Sequence, residues 1–196
     1  TYDIAAINLS LGGGEYGDQA TCDADNRAVK AIIDSLRAAN IATVVASGNA
    51  GYTSAMTAPA CISSAISVGA TTDADLVAGF SNSAPFLSLL APGTAITSST
   101  PDNGSCGTNG CFANFSGTSM ATPHVAGVAA LAWSLLPDAT YAQIKAAMLS
   151  GTDDVPSMAG ITTSGGRLNA AGTLGNLAMV VTASTPGSGS IYVGLP

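Results

Sequence analysis

The sequence predicts an α/β fold in which a mostly parallel sheet carries helices on both faces. An apolar, β-branched segment comes before and after the amphipathic residues 24–40, which is the order of a βαβ unit. Two further short apolar segments, residues 65–70 and 86–93, bring the predicted sheet to at least four strands. Residues 120–136 are apolar and uncharged, as is typical of a helix buried on every side.

The first predicted strand lies within residues 4–9, an apolar run that ends before three glycines. A continuous apolar run is typical of a strand buried on both faces. The chain begins at Thr1, without a methionine or a signal peptide. We therefore expect it to be a processed or excised piece of a longer protein.

An amphipathic helix is predicted over residues 24–40, with its apolar face formed by Val29, Ile32, Ile33 and Leu36. The β-branched residues 41–46 then predict a strand that turns at Gly48.

Two helices are predicted in the second half of the chain. The first covers residues 120–136, with Pro123 in its first turn and Pro137 at its end. The second begins near Thr140, a residue suited to a helix N-cap, and ends at Gly151. Residues 179–196, rich in Ser, Gly and Pro, are expected to be a linker or the start of a β-rich C-terminal extension.

The charge composition excludes several classes of partner. Twelve acidic and five basic side chains make up 9% of the chain and give a net charge of −7, so a basic nucleic-acid surface is not expected. No uninterrupted apolar stretch reaches the roughly 20 residues needed to span a membrane. The few charges instead indicate a piece drawn mainly from the packed interior of a protein.

The cysteines favour disulfide bonds. They show no CxxC pair, and four cysteines allow three pairings. The short loop between Cys106 and Cys111 can close easily, which would leave Cys22 to pair with Cys61. Disulfides indicate an oxidising compartment, so we expect secretion, whereas buried free thiols would suit a cytosolic protein.

Ser119 lies where the turn FSGTS meets the helix predicted over residues 120–136, beside unpaired backbone N–H groups. By itself this position also suits an ordinary N-cap serine. The string FSGTSMATPHVAG, however, resembles the block around the nucleophilic serine of the subtilisin-like serine proteases. INLSLGGG, VVASGNAG and FSNSAPFLSLLAPGT resemble other blocks of that family in the same order.

The resemblance implies that residues 1–178 are part of a three-layer, subtilisin-like catalytic domain whose N-terminal strands and helix are missing. It further implies that Ser119 is the acyl-forming nucleophile and that the Asn49 amide joins the Ser119 N–H in binding the oxyanion. By residue type alone, Asn49 is equally suited to a turn.

The same resemblance implies a substrate cleft for a protein or peptide. One edge, which would pair with an extended peptide, would be formed by Ser10, Leu11 and Gly12. The opposite wall of the pocket would be formed by Ala46, Ser47 and Gly48. The glycines that follow Leu11 are also compatible with a simple loop.

The catalytic base is not evident in this sequence. In the family, a histidine and an aspartate precede the serine by a long distance, whereas the only histidine here, His124, follows Ser119 by five residues. On one helix that spacing turns the two side chains about 140° apart, so His124 is not expected to be the base. The resemblance implies that His124 is a packed structural residue. We therefore expect a missing N-terminal catalytic segment as a partner, and no activity from this chain alone.

No metal site or cofactor is assigned. Ser88 stands where some calcium-binding members of the family carry an aspartate, and the acidic pairs Asp73/Asp75 and Asp153/Asp154 are more often solvated than calcium-bound. Calcium stays possible without an assigned site.

Two other functions are weighed: a non-catalytic pseudoenzyme that keeps a peptide groove, and an α/β-hydrolase esterase, which the absence of a GxSxG elbow disfavours.

Overall fold

A six-stranded, mainly parallel sheet is central to the computed structural model, which describes residues 4–101 and 110–183. The strands, in chain order, are β1 (Ala6–Leu9), β2 (Gly13–Tyr16), β3 (Ala42–Ala46), β4 (Met56–Ala58), β5 (Ile66–Thr71), β6 (Leu89–Pro92), β7 (Ile96–Ser99), β8 (Phe112–Phe115), β9 (Asp153–Asp154) and β10 (Gly166–Arg167). The central sheet has the order β1-β3-β5-β6-β10-β9, and only β9 runs antiparallel to its neighbour. Two small antiparallel sheets, β2-β4 and β7-β8, complete the described strands.

Helices cover both faces of this sheet. They are α1 (Gln19–Asp25), α2 (Arg27–Ala38), α3 (Thr118–Leu135), α4 (Tyr141–Ser150) and α5 (Ala170–Ala183). Helix α3 packs across β1, β3, β5 and β6, and α4 and α5 pack against it, whereas α2 contacts β3. Val44 and Val45 of β3 belong to different hydrophobic clusters, because successive side chains of a strand point to opposite faces. The α/β fold with a mostly parallel sheet and helices on both faces is confirmed.

The beginning of α4 follows the predicted helix signal. The Thr140 hydroxyl accepts a hydrogen bond from the Gln143 backbone N–H at 3.3 Å, and the Gln143 side chain accepts one from the Thr140 N–H at 2.8 Å. This reciprocal capping box satisfies two donors at the helix start, and the helix ends at Gly151 as predicted.

Strand β1 is an edge strand and is not buried on both faces, so this part of the sequence prediction was wrong. Within the described residues β1 pairs only with β3, and its residues are half-buried or exposed. Ile4, just before it, is 52% exposed. The apolar sequence is compatible with burial, but no described element lies on the outer side of β1.

The apolar face of α2 is only partly covered. Ile33 is buried, whereas Val29 is exposed and Ile32 is 61% exposed. Helix α2 contacts β3 and α1, and the described part of the chain leaves Val29 and Ile32 of its apolar face exposed.

Helix α3 begins two residues earlier than predicted and is not buried on every side. Val125, Ala129 and Ala132 face the sheet, whereas Leu131 and Leu135 are exposed. The sequence predicted a helix without a solvent face because it carries no charge. In the described part of the chain, the sheet, α4 and α5 pack against α3 but leave Leu131 and Leu135 exposed.

The end of the described chain is helical. Helix α5 continues to Ala183, so the domain boundary expected at residue 178 falls within it. Of residues 179–196, expected to be a linker or the start of a β-rich extension, residues 184–196 lie outside the described residues. The sequence analysis also did not predict α1 or the small sheets β2-β4 and β7-β8.

The predicted disulfide between Cys22 and Cys61 is confirmed, and both residues are fully buried. It joins α1 to the turn after β4. The second predicted bridge includes Cys106, which lies outside the described residues. Across the described ranges, no helix is both long and apolar enough to cross a membrane.

Candidate active site

The nucleophile candidate, Ser119, is the second residue of α3. The first N–H groups of a helix have no partner within it, so their positions decide what the helix start can bind. The Gly117 N–H donates to the Gly93 carbonyl at 2.8 Å, which attaches the turn before the helix to the end of β6. The turn FSGTS therefore places Ser119 at the carboxyl edge of the parallel sheet, where α/β proteins commonly bind ligands.

Asn49 is attached to the same helix start through its amide oxygen. The Thr118 backbone N–H and the Thr118 hydroxyl both donate to Asn49 Oδ1, each at 2.9 Å. With the oxygen engaged twice, the Asn49 NH₂ group is left as the donor available to a ligand. The Asn49 side chain is exposed, and its Nδ2 lies near Gly117 and thus near the residues that begin α3.

The loop that carries Asn49 is held by a buried asparagine, Asn82. Its Nδ2 donates to the Ser47 carbonyl at 3.0 Å, and its Oδ1 accepts from the N–H groups of Ala50 at 2.9 Å and Tyr52 at 3.1 Å. Gly48 lies in this loop with a φ of +108°, and a Cβ there would come within 2.3 Å of Asn82 Nδ2. Only glycine fits at this position.

The predicted cleft edge lies directly beside the nucleophile. The Ser10 hydroxyl donates to the Ser119 carbonyl at 2.8 Å, and the Ser119 hydroxyl donates to the Ser10 carbonyl at 3.4 Å. Leu11 and Gly12 are exposed, as an edge that receives a peptide requires. A Cβ on Gly12 would come within 2.4 Å of the Thr57 hydroxyl, so this glycine permits close packing of β2 on β4.

On the opposite wall, only Gly48 is partly exposed. Ala46 and Ser47 are buried, and the Ser47 hydroxyl donates to the Asn82 carbonyl at 2.9 Å. The Ser47 side chain is therefore turned away from solvent. The assignment of Ala46, Ser47 and Gly48 to the cleft wall stays a prediction.

His124 is not a packed residue, which corrects the sequence prediction. Its side chain is exposed, and its Nδ1 lies 2.9 Å from the Met120 carbonyl, one turn back on the same helix. The Ser119 hydroxyl has the Ser10 carbonyl as its partner. The described hydrogen bonds thus give Ser119 and His124 different partners.

One member of each acidic pair weighed as a calcium ligand has another partner. Asp75 and Asp153 both form ion pairs with Arg167. Hydrogen bonds from Asn169 and then Arg167 lower the pKa of the Asp153 carboxyl from its ordinary value of 3.8. Ser88 is buried, and its N–H donates to the Ser67 hydroxyl at 2.9 Å. Within the described ranges, no group of three His, Cys, Asp or Glu side chains is arranged to hold a metal ion.

Two residues that support the site were missed by the sequence analysis, Thr118 and Asn82. Thr118 orients the Asn49 amide, and its hydroxyl also lies 3.3 Å from the Gly48 N–H. Its only sequence signal is a hydroxyl residue next to the candidate nucleophile. Asn82 gave no usable signal, because an asparagine between two serines is also typical of an exposed turn.

The arrangement brings together an accessible hydroxyl, an oriented amide donor and the first N–H groups of a helix. Ser119 N–H and Asn49 Nδ2 can both donate to one developing negative charge next to the Ser119 oxygen. Such a site is suited to acyl transfer through a tetrahedral intermediate, once a base removes the hydroxyl proton.

Comparison with known proteins agrees with this geometry. The family model described as the subtilase family, Peptidase S8, matches residues 2–175. An extracellular serine proteinase of a Thermus species is 43% identical over 145 residues, which are 74% of this chain and 32% of that protein. Subtilisin of Bacillus pumilus is 38% identical over 146 residues, 73% of this chain and 47% of the relative.

Solved structures show the same similarity. The prenylagaramide maturation protease PagA superposes with a TM-score of 0.73 at 28% identity, covering 88% of this chain and 62% of PagA. The chain spans about a third of the Thermus proteinase and about half of the Bacillus pumilus subtilisin. On the family match over residues 2–175 and the shared fold, the chain belongs to the subtilase family of serine proteases.

Proposed function

We propose that this chain supplies the nucleophile, the oxyanion donors and part of the substrate cleft of a serine endopeptidase. The observation that carries the proposal is the pair of 2.9 Å hydrogen bonds by which Thr118 holds the Asn49 oxygen. They leave the Asn49 NH₂ beside Ser119, where an oxyanion would form. This orientation has a clear use in acyl transfer and is not required for a simple turn.

The proposed reaction uses these groups in two stages. Ser119 Oγ loses its proton to a base and attacks the substrate carbonyl, and the resulting oxyanion accepts hydrogen bonds from Asn49 Nδ2 and the Ser119 N–H. The amine leaves with the proton from the base, and an acyl-enzyme remains on Ser119. Water then attacks the ester through the same oxyanion site and releases the acid and free Ser119. The peptide backbone would pair with Ser10–Gly12.

We propose that the base and the aspartate that orients it come from a segment outside this sequence. Three features support a place for it: the open edge of β1, the exposed Ile32 of α2, and the exposed Leu131 and Leu135 of α3. We name these features the uncovered surface. They comprise one sheet edge and one helix on each face, so they fit a segment that adds a strand to β1 and packs helices on both sides.

The test compares this chain alone with the natural protein that contains it together with the upstream segment. The chain alone should cleave peptides at most at a trace level, and the longer protein should turn over and label Ser119 with a fluorophosphonate. Ser119→Ala should abolish both signals. His124→Gln, which changes a residue turned away from Ser119, should keep them.

The same experiment tests the alternative function, a pseudoenzyme that only binds peptides. If the longer protein folds but neither labels nor cleaves, the endopeptidase proposal is wrong. Retained binding of an extended peptide would then favour the pseudoenzyme.

We further propose an extracellular location without an assigned cofactor. The Cys22–Cys61 disulfide supports an oxidising compartment, and relatives bear the names extracellular serine proteinase and extracellular protease. Detection of the natural protein in the culture medium with this disulfide intact would support the location, and a reduced, cell-retained protein would contradict it.

A further inference from the structure

A proline interrupts the backbone hydrogen bonding of α3 at the nucleophile. Pro123 lies inside the helix, four residues after Ser119. In an α-helix the N–H of residue i+4 donates to the carbonyl of residue i, and proline has no N–H. The carbonyl of Ser119 therefore lacks its helical donor.

The missing donor is replaced by a side chain from another element. The Ser10 hydroxyl, one residue after β1, donates to the Ser119 carbonyl at 2.8 Å. Asn8 Nδ2 donates to the Ser10 oxygen at 3.0 Å, which leaves the hydroxyl hydrogen free to point at Ser119. The neighbouring carbonyls of α3 have side-chain partners within the helix itself. The Thr118 carbonyl accepts a hydrogen bond from the Thr122 hydroxyl, and the Met120 carbonyl accepts one from His124 Nδ1.

Ser119 is thereby fixed from both sides. The preceding N–H, that of Thr118, donates to Asn49 after β3, and the Ser119 carbonyl accepts from Ser10 after β1. Strands β1 and β3 are parallel neighbours with Leu9 opposite Val45, so both attachments come from the same edge of the sheet. A displacement of the helix start would have to break one of them.

We propose that the Ser10 hydroxyl is a positioning residue for the nucleophile and replaces the hydrogen bond that Pro123 removes. This inference depends on the proposed function, because it assigns Ser10 a role in holding Ser119 for acyl transfer. It goes beyond the expected role of Ser10, in which only its backbone pairs with the substrate. Ser10 acts through Ser119 and does not contact the reacting carbonyl.

The first test uses kinetics of the natural protein that contains the upstream segment. Ser10→Ala should lower kcat about three- to tenfold, the size expected for one hydrogen bond, with KM nearly unchanged. Ser10→Thr, which keeps the hydroxyl, should recover most of the loss. Active-site titration with a fluorophosphonate corrects each rate for the folded fraction.

The second test adds Pro123→Ala, which gives the helix back an N–H for the Ser119 carbonyl. In the Pro123→Ala background, Ser10→Ala should lower kcat less than about twofold, because the new N–H donates to the Ser119 carbonyl in place of Ser10. The inference is overturned if Ser10→Ala lowers kcat by the same factor in the parent and in the Pro123→Ala background, or if Ser10→Ala changes only KM.

A readout independent of turnover separates this inference from the proposed function. The Ser119 carbonyl carbon, labelled with ¹³C, should shift upfield in Ser10→Ala and stay near the parent value in Ser10→Thr. An unchanged resonance in Ser10→Ala would overturn the positioning role even in an active enzyme. The expected shift in a protein that neither labels nor cleaves would overturn the proposed function and leave the positioning contact established.

Discussion

At the scale of single residues, the orientation of one amide decides what the site can do. The two hydrogen bonds from Thr118 fix which end of the Asn49 side chain is a donor toward Ser119. An asparagine without them could present its oxygen, which would repel an oxyanion. Thr118 and Asn49 therefore act as a unit, although only Asn49 would contact the substrate.

We expect Asn49→Ala to lower kcat by about 10²–10³ with a small change in KM, because the oxyanion forms only during the reaction. That magnitude is the one known for this type of donor in subtilisin, a member of the same family. Thr118→Val should lower kcat less than Asn49→Ala does, because it releases the Asn49 amide from one hydrogen bond. Thr118→Ser, which keeps the hydroxyl, should restore kcat. Steady-state kinetics of the natural protein checks this. A loss confined to KM in Asn49→Ala would contradict the oxyanion role.

At the scale of secondary-structure elements, one disulfide bond and one network of ion pairs connect peripheral parts of the fold. The Cys22–Cys61 disulfide ties α1 to the turn after β4, and Arg167 of β10 ties the Asp75 loop to Asp153 of β9. The first link is buried and the second is partly exposed. They are expected to respond to different conditions.

Loss of the disulfide should lower the free energy of unfolding substantially. The bridge spans 39 residues, for which loop-closure entropy gives about 4 kcal/mol, within a usual range of about 2–5 kcal/mol. We expect this loss for the double variant Cys22→Ala, Cys61→Ala in urea denaturation of the natural protein. Ser63→Ala is a matched control, because it removes a 2.6 Å hydrogen bond to Asp23 beside the bridge but keeps the covalent link. Equal losses in both variants would contradict a special contribution from the disulfide.

The Arg167 network should make stability fall in acid. Because its folded pKa is lowered, the Asp153 carboxylate stabilises the protein above its ordinary pKa of 3.8, and this contribution is lost as the pH falls through the lowered value. Asp153→Asn should therefore destabilise the protein at neutral pH. Its thermal unfolding midpoint, measured as a function of pH, should decline less below about pH 5 than that of the parent protein. Asp73→Asn, an exposed carboxylate outside the network, is the control. Parallel pH profiles for parent and Asp153→Asn would contradict the assignment.

At the scale of the whole molecule, the uncovered surface is the main unexplained feature of the described chain. A free strand edge and exposed leucines on a central helix are costly in water and prone to association. Their position on both sides of the sheet at β1 is consistent with a missing layer that continues the fold. The proposed catalytic base and the missing packing would then be supplied by the same segment.

We expect Leu131→Asp to lower the free energy of unfolding of the natural protein by about 2 kcal/mol or more, because the segment would bury this side chain. Leu76→Asp is the matched control: Leu76 is 54% exposed on the loop after β5, away from the uncovered surface, whereas Leu131 is 47% exposed. Denaturant unfolding measures both. Equally small effects would show that Leu131 stays exposed and that the segment does not cover α3.

The sequence by itself determined the order of the main strands and helices and the Thr140 cap, and it favoured the Cys22–Cys61 pairing. Its resemblance to the subtilases implied the site roles of Ser119 and Asn49, which stay predictions. These follow from local patterns: β-branched runs, helical spacing, hydroxyl caps and a contiguous motif. It also indicated that His124 is not the base, because five residues on one helix turn the two side chains apart.

Only the tertiary structure decided which apolar faces are covered and what holds the site in place. An apolar residue has the same sequence signature whether its partner is present or absent, so the burial expected for both faces of β1 and for every side of α3 was wrong. The exposure of His124 likewise depends on packing that no local pattern shows. The supports from Thr118, Asn82 and Ser10 join residues 30 to 109 positions apart. Such contacts depend on strand register and helix placement, which no local pattern encodes.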